Sequence, residues 1–274
     1  MSKRSNALST RRLAAGLLSA LGAALGAITL ASPPGLDPAA ELHLESLQQS
    51  PDAAGSLIYQ GAVWASKTPG AAPLFHYVRR VGRSDAGLTS VHLTHDPAGR
   101  LLIAEQAESN PAYALRRFAV ANRQQGFSGS VVLSADGRRL DYQLLRNGQR
   151  SSASETVNDP VVAGPTLHGY VLQHWDALSS GKTLPVRLIV MTEKTTYGFD
   201  IQALPQADGR SSFSITPSSL LVRLAVAPLI VSFDSASRAL LRYDGRVPPM
   251  QGLAGALQPL DARVDYTMVA AHYQ

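Results

Sequence analysis

The chain has 274 residues, 45% of them hydrophobic, with 25 Lys and Arg against 20 Asp and Glu and no cysteine. The lack of a thiol excludes disulfides, thiolate metal sites, thiol catalysis and lipid attachment at a lipobox cysteine. The formal charge of +5 is concentrated at the start: Lys3, Arg4, Arg11 and Arg12 precede Ala31 with no acid among them, which leaves 21 basic against 20 acidic residues. No basic run with interleaved aromatics remains to neutralise phosphates, so a nucleic-acid partner is not expected.

Residues 1–31 read as an export signal. A basic leader is followed by the uncharged stretch from Leu13 to Ala31, with small residues at Thr29 and Ala31 permitting cleavage near Ala31 and Pro33-Pro34 ending any helix. The alternative is an uncleaved membrane anchor, since nineteen residues approach the roughly 20 that a spanning helix needs, although much of the stretch is weakly apolar Ala, Gly and Ser. The Arg11-Arg12 pair also permits twin-arginine export. Residues 32–55, rich in Pro, Ala, Ser and Gln, read as a flexible lead-in, and 56–274 as one β-rich domain.

From Ser56 onward, short runs rich in β-branched and aromatic residues alternate with turn residues, with hairpins expected at Asp96-Pro97-Ala98-Gly99 and at Ala135-Asp136-Gly137. The run from Ala114 to Gly126 fits a helix or a strand equally. A helix is expected over about 166–180, introduced by Gly164-Pro165, with Thr166 as a candidate cap and Gly181 as its stop. At 100° per residue, Leu167, Val171, His174 and Leu178 share one stripe flanked by Tyr170 and Trp175, so His174 is expected to face the core and His168 to lie to one side. Strands follow at 184–192 and 195–201, then FSIT, a short apolar helix over about 218–226, a hairpin turning at Asp234 to Ser237, and a last strand in RVDYTMVA. Nine or more short strands with one clear helix indicate a mainly β (α+β) fold, a curved antiparallel sheet or half-barrel.

The polar residues do not assemble a catalytic signature. His92 and His95 are three apart, which on a strand sends them to opposite faces, and no third ligand is near, so no metal is expected. Gly-Phe-Ser-Gly-Ser around Ser128 lacks the closing glycine of a nucleophile elbow, and no phosphate-loop glycine pattern occurs. No cofactor or catalytic residue is therefore assigned, and the reading leans away from an enzyme. One feature points to a ligand. Ile189 and Met191 share a strand face with Arg187, and the apolar LLVRLAV segment is interrupted by Arg223 alone. These four residues are the candidate lining of a greasy site, with the apolar segment covered on several sides or serving as a lid. Tyr170, His174 and Trp175 are read as structural.

The stretches HWDALSSGKTLPVRLIVMTEKTTYGFDI and LIVSFDSASRALLRYDGR resemble a family of uncharacterised exported proteins of Gram-negative bacteria, over about residues 164–246. The resemblance implies a secreted or periplasmic β-rich domain without assigned catalytic residues. At the level of fold such chains look like the half-barrels of periplasmic lipoprotein carriers, an analogy that does not fix function. Two functions are carried forward: a binding or transfer module for a hydrophobic, acyl-bearing envelope molecule, held in the concavity of the sheet, and a structural or protein-interaction module with no small ligand. Membrane contact is expected only through the signal segment.

Overall fold

The computed structural model describes residues 55–66, 72–253 and 255–269. The leader over 1–31 and, except for Gly55, the lead-in over 32–55 lie outside the described residues. The described residues fall within one compact unit.

The fold is mainly β. Eight strands come first: β1 (Ser56–Ala65), β2 (Phe75–Ser84), β3 (Gly87–His95), β4 (Leu101–Ser109), β5 (Leu115–Asn122), β6 (Phe127–Leu133), β7 (Arg139–Arg146) and β8 (Gln149–Thr156). The two-residue β9 (Val161–Val162) leads into helices α1 (Gly164–Gln173) and α2 (Trp175–Ser179), followed by β10 (Leu184–Val190), β11 (Thr195–Ala203) and β12 (Arg210–Pro217). Helix α3 (Leu220–Ala225), β13 (Leu229–Asp234), β14 (Leu240–Leu253) and β15 (Ala256–Met268) complete the chain. The undecided run from Ala114 is the strand β5. Its residues Phe118 and Val120 bury on one face while their neighbours Ala119 and Ala121 occupy the other, a two-sided burial that blurs any helical or strand period.

All fifteen strands belong to one curved, unclosed sheet in the order β8-β7-β6-β5-β4-β3-β2-β1-β15-β14-β13-β12-β11-β10-β9. Every pairing is antiparallel except β9 with β10. The first and last strands meet in the middle: Tyr59 opposes Met268 and Val63 opposes Val264. Each remaining strand pairs with its sequence neighbour, so the sheet is two meanders zipped together along β1 and β15. Its ends approach without backbone pairing. The Thr195 hydroxyl donates to Glu155 Oε2 at 3.1 Å, and the Tyr142 hydroxyl to Glu155 Oε1 at 2.5 Å.

Helices α1 and α2 lie on the concave side. Leu167, Val171, Trp175 and Leu178 pack in one cluster with Val186, Phe199, Ile201, Phe213 and Phe233 from the second meander and with Tyr59, Val81 and Leu88 from the first. The expected single helix over 166–180 is interrupted at His174, whose backbone (φ −103°, ψ 18°) leaves the helical well. This reverses the two histidines. His168 is buried, whereas His174 is half-buried at the break with its ring 4.3 Å from that of Tyr170. The stripe survives in Leu167, Val171 and Leu178, all buried in that cluster, and only His174, at the break, leaves it. Thr166 does not act as the cap residue itself; its hydroxyl bonds back to the amide and carbonyl of Ala163 at 3.0 and 3.1 Å, closing the first turn. Gly181, at φ +88°, ends α2 as expected.

Helix α3 departs from expectation in its surroundings. Leu220, Leu221 and Leu224 are 75, 79 and 86% exposed, so the apolar segment projects from the sheet instead of being covered on several sides. Arg223 folds back to donate from Nε to the Pro217 carbonyl at 2.5 Å, which anchors the short helix by its polar residue and turns the leucines outward.

Candidate functional site

Two places on the molecule concentrate chemistry. The first is a row of buried polar side chains beneath α1. Register aligns Tyr59, Arg79, His92 and Glu105 on β1 to β4, each opposite the next. Their side chains point inward because Phe75, Tyr77, Arg79 and Val81 alternate with more exposed residues along β2. Arg79, 2% exposed, donates to the Pro165 carbonyl in the first turn of α1 and to Ser90 Oγ at 3.0 Å. His92 Nδ1 lies 3.3 Å from Glu105 Oε2, and its ring sits edge-on to Tyr77 at 4.6 Å. His168 descends from α1 onto the Tyr59 ring at 5.9 Å.

A neighbouring row contains Thr94, Tyr77, Gly61 and Tyr266. Gly61 is required there, since a β-carbon at that position would stand 3.1 Å from the Tyr266 ring and 3.2 Å from Tyr77 Cβ. Burial holds the Tyr77 and Tyr266 phenols well above their ordinary range. It also depresses His168 well below the ordinary histidine range, with the nearby Arg79 and His92 acting in the same direction. A hollow of about 20 Å³ beside Arg79, Ser90 and Thr166 has room for a water but for no organic ligand. The arrangement clamps α1 into the sheet.

The second place lies at one end of the sheet. Strands β14 and β15 run past the last pairings of β13 and β1, with a register shift between Val247 and Met250 at Pro248-Pro249, where proline supplies no ladder donor. Val247 and Leu260 pack with Val63, Phe75 and Tyr77 over this end of the interior. The hairpin is fastened across the mouth by one side chain: Gln124, in the β5–β6 turn, donates to the Met250 carbonyl at 2.7 Å and accepts from the Met250 amide at 2.8 Å. Between the hairpin and the facing ends of β1 and β2 is a hollow of about 280 Å³ lined by Trp64, Ala65, Leu74, Phe75, Gln251 and Leu253. Arg263 stands over the Trp64 ring at 5.2 Å.

His92 and His168 belong to the first place, but the four candidate ligand-lining residues occupy neither. Arg187 and Ile189 share one face of β10, Met191 follows in the turn just past its end, and both apolar residues turn against the other meander. Ile189 and Met191 join the apolar cluster of Phe118, Val131, Leu140 and Tyr142, with Met191 6% exposed. The methionine Cε lies 2.6 Å from where a β-carbon on Gly129 would stand, so the absent side chain of Gly129 makes its seat. Arg187 is held by Thr196, Nε to Oγ1 at 2.6 Å and a terminal nitrogen to the carbonyl at 2.8 Å. Arg223 is exposed on α3. Trp175 is clasped edge-on by Phe213 and Phe233 at 5.1 and 5.5 Å, with Arg238 over its ring at 5.1 Å. Among the described residues no three His, Asp or Glu side chains gather as a metal-ligand group.

Sequence reasoning missed Trp64, Leu74, Phe75 and Gln124. Pro248-Pro249 inside an otherwise strand-like run, followed by Gly252 and Gly255, was the available sign of a bent, overhanging hairpin. Nothing local marks Gln124, whose partner is 126 positions away.

No family model and no curated protein matches the chain. Among solved structures it is similar to a β-barrel-like protein of a domain of unknown function, DUF1849, from Brucella abortus, with 10% identity, 78% of this chain and 94% of that chain covered, and a TM-score of 0.42.

Proposed function

We propose that the protein is an exported envelope protein that binds the apolar end of an amphiphile, in the hollow under the β14–β15 hairpin and not in the concavity of the sheet. The observation that carries this reading is the hollow itself. It is walled by Trp64, Leu74, Phe75 and Leu253 and roofed by a hairpin fastened through Gln124, while the concave side is occupied by α1 and α2. Its volume of about 280 Å³ is just below the roughly 300–1,000 Å³ of ligand pockets, so it suits the end of an acyl chain and not a whole lipid. The uncharged stretch from Leu13 to Ala31 behind its basic leader supports export to the periplasm or beyond.

The test is titration with fatty acids and lysophospholipids, following tryptophan fluorescence in Trp64→Phe and Trp175→Phe variants. Trp64 lines the hollow and Trp175 is sealed in the core, so the Trp175→Phe protein, which retains Trp64, should give a saturable response and the Trp64→Phe protein none. Leu74→Glu places a carboxylate in the half-buried wall and should weaken binding by about tenfold or more, the loss of one or two buried methylenes at roughly 0.8 kcal/mol each. A parent without a saturable response to any amphiphile would remove this reading. The packed concavity and the outward leucines of α3 would then favour a structural or protein-interaction module.

A further inference from the structure

The end of the sheet that holds the hollow also presents five of the seven exposed large apolar side chains of the described residues, including the three most exposed; Val269, 56% exposed, lies at the opposite end beside Ile58. Leu220, Leu221 and Leu224 stand out on α3, and Leu253 and Leu257, 52 and 42% exposed, near the tip of the β14–β15 hairpin. Strand register puts them at one end. Ile215 pairs with Leu229 and Ile230 with Asp244, so the β12–β13 connection containing α3 leaves the sheet on the side where β14 and β15 overhang. Five exposed leucines on two adjacent projections differ from the scattered single apolar residues of an ordinary surface.

Charge is distributed to match. Among the described residues, the connections at this end carry Arg100, Arg123, Lys194 and Arg223 against Asp96 and Glu193. Asp96 is itself closed by Arg100 at 2.7 Å, and Glu193 accepts from the Tyr197 hydroxyl. At the opposite end the balance inverts: the connections there carry Asp85, Asp136, Asp159 and Asp208 against Arg138 and Lys182, while Asp176 and Arg238 pair with each other at 3.3 Å. One end therefore combines leucines with a positive surplus, and the other has neither. Apolar side chains that project beside cations suit the boundary of a bilayer, where the leucines enter the acyl region and the cations meet anionic headgroups. A protein partner would not require the charge to be polarised between the two ends.

We propose that this end of the molecule, with Leu220, Leu221 and Leu224 of α3 and the tip of the β14–β15 hairpin as its inserting residues, docks onto an anionic lipid surface. Membrane contact is then made by the folded domain and not by the leader alone. Docking does not depend on a ligand in the hollow, although it would bring the hollow's mouth to the bilayer. No helix among the described residues is long and apolar enough to cross a membrane.

The experiment is co-sedimentation of the full chain with vesicles of phosphatidylcholine, with and without phosphatidylglycerol, at low and high salt. The parent should bind the anionic vesicles, more weakly as salt rises, and the neutral vesicles poorly. The triple substitution Leu220→Ser, Leu221→Ser and Leu224→Ser removes side chains that support no core and should reduce binding by about tenfold or more without altering the near-ultraviolet circular dichroism. The double substitution Arg123→Glu and Lys194→Glu, which leaves the Arg223 anchor of α3 in place, should abolish the preference for anionic vesicles. Leu74→Glu, which tests the hollow, should bind vesicles like the parent, so the two readings fail separately. A parent that ignores anionic vesicles at low salt, or a triple variant that binds as well as the parent through residues 13–31 or elsewhere, overturns the proposal.

Discussion

Arg79 is the side chain on which the interior depends most visibly. A guanidinium that is 2% exposed survives because its hydrogens reach the Pro165 carbonyl and Ser90, and because Glu105 supplies a carboxylate two strands away in the same row. Arg79→Met is expected to cost about 1–3 kcal/mol, because it leaves the buried Pro165 carbonyl and Ser90 hydroxyl without their donor; a denaturant midpoint close to that of the parent would show that the row contributes little. Gly61→Ala should also destabilise, by about 1–3 kcal/mol, since its methyl would press on Tyr266 and Tyr77. Met191→Glu is expected to unfold the protein and not merely to alter a surface, because the carboxylate would enter the cluster of Phe118, Val131 and Tyr142.

His168 gives the interior a pH dependence whose sign follows from its environment. Burial, Arg79 and His92 all disfavour its proton in the folded state, whereas an unfolded chain accepts that proton near pH 6.5. The unfolded state therefore binds more protons as pH falls below about 6.5, and the contribution of His168, complete at higher pH, is lost on acidification. The parent should lose stability between about pH 6.5 and 5 more steeply than His168→Gln, by up to about 1.4 kcal/mol per pH unit. Equal slopes in urea titrations of the two proteins would contradict the assignment. Asp96, Asp136, Asp141 and Asp234, whose hydrogen bonds hold them below the usual carboxylate range, titrate lower and contribute to both slopes alike.

At the scale of elements, the sequence reveals what depends on neighbours along the chain. The turns at 96–99 and 135–137, the β10–β11 pair and the β13–β14 hairpin are legible because their turn residues and period-two patterns are local. The inward direction of Arg79 was also accessible, since Phe75, Tyr77 and Val81 fix the parity of β2. The break at His174 and the outward orientation of α3 were not accessible. Both are decided by what the sheet leaves room for once α1 has been clamped and Arg223 has reached Pro217. The expected strand over 184–192 ends at Val190, so Met191 lies in the turn beyond the face of Arg187 and Ile189; that these residues would seal one meander against the other depends on curvature that no local pattern encodes. The overhanging hairpin is the element with the clearest single fastening. Gln124→Ala removes both hydrogen bonds to Met250 and should raise amide exchange over residues 247–260 while lowering global stability by only about 1–2 kcal/mol. Exchange confined to its parental rate would mean that Val247 and Leu260 hold the hairpin unaided.

At the scale of the molecule, the central feature is that the first and last strands are neighbours. Pairing Tyr59 with Met268 closes a loop of roughly the whole domain, so β1 and β14 have no common partner until β15 arrives. Such non-local closure is slow to form, because chain entropy is lost before the contacts that repay it are made. It also makes the two meanders interdependent. Helices α1 and α2 reinforce this coupling, since one apolar cluster joins Tyr59, Val81 and Leu88 to Phe199, Phe213 and Phe233 through Val171 and Trp175. The two tryptophans report on different parts of this arrangement: Trp64 is on β1 beside the seam, and Trp175 is deep in the cluster of the second meander. If seam and helices act as one cooperative unit, the Trp64→Phe and Trp175→Phe proteins should show fluorescence transitions in urea that coincide with their own far-ultraviolet circular dichroism. A charge placed in the seam, Val264→Asp at a fully buried position, should abolish both transitions together. Separate midpoints for the two tryptophans, or survival of the Trp175 transition in the Val264→Asp protein, would mean that the meanders fold independently and that β15 only docks one onto the other.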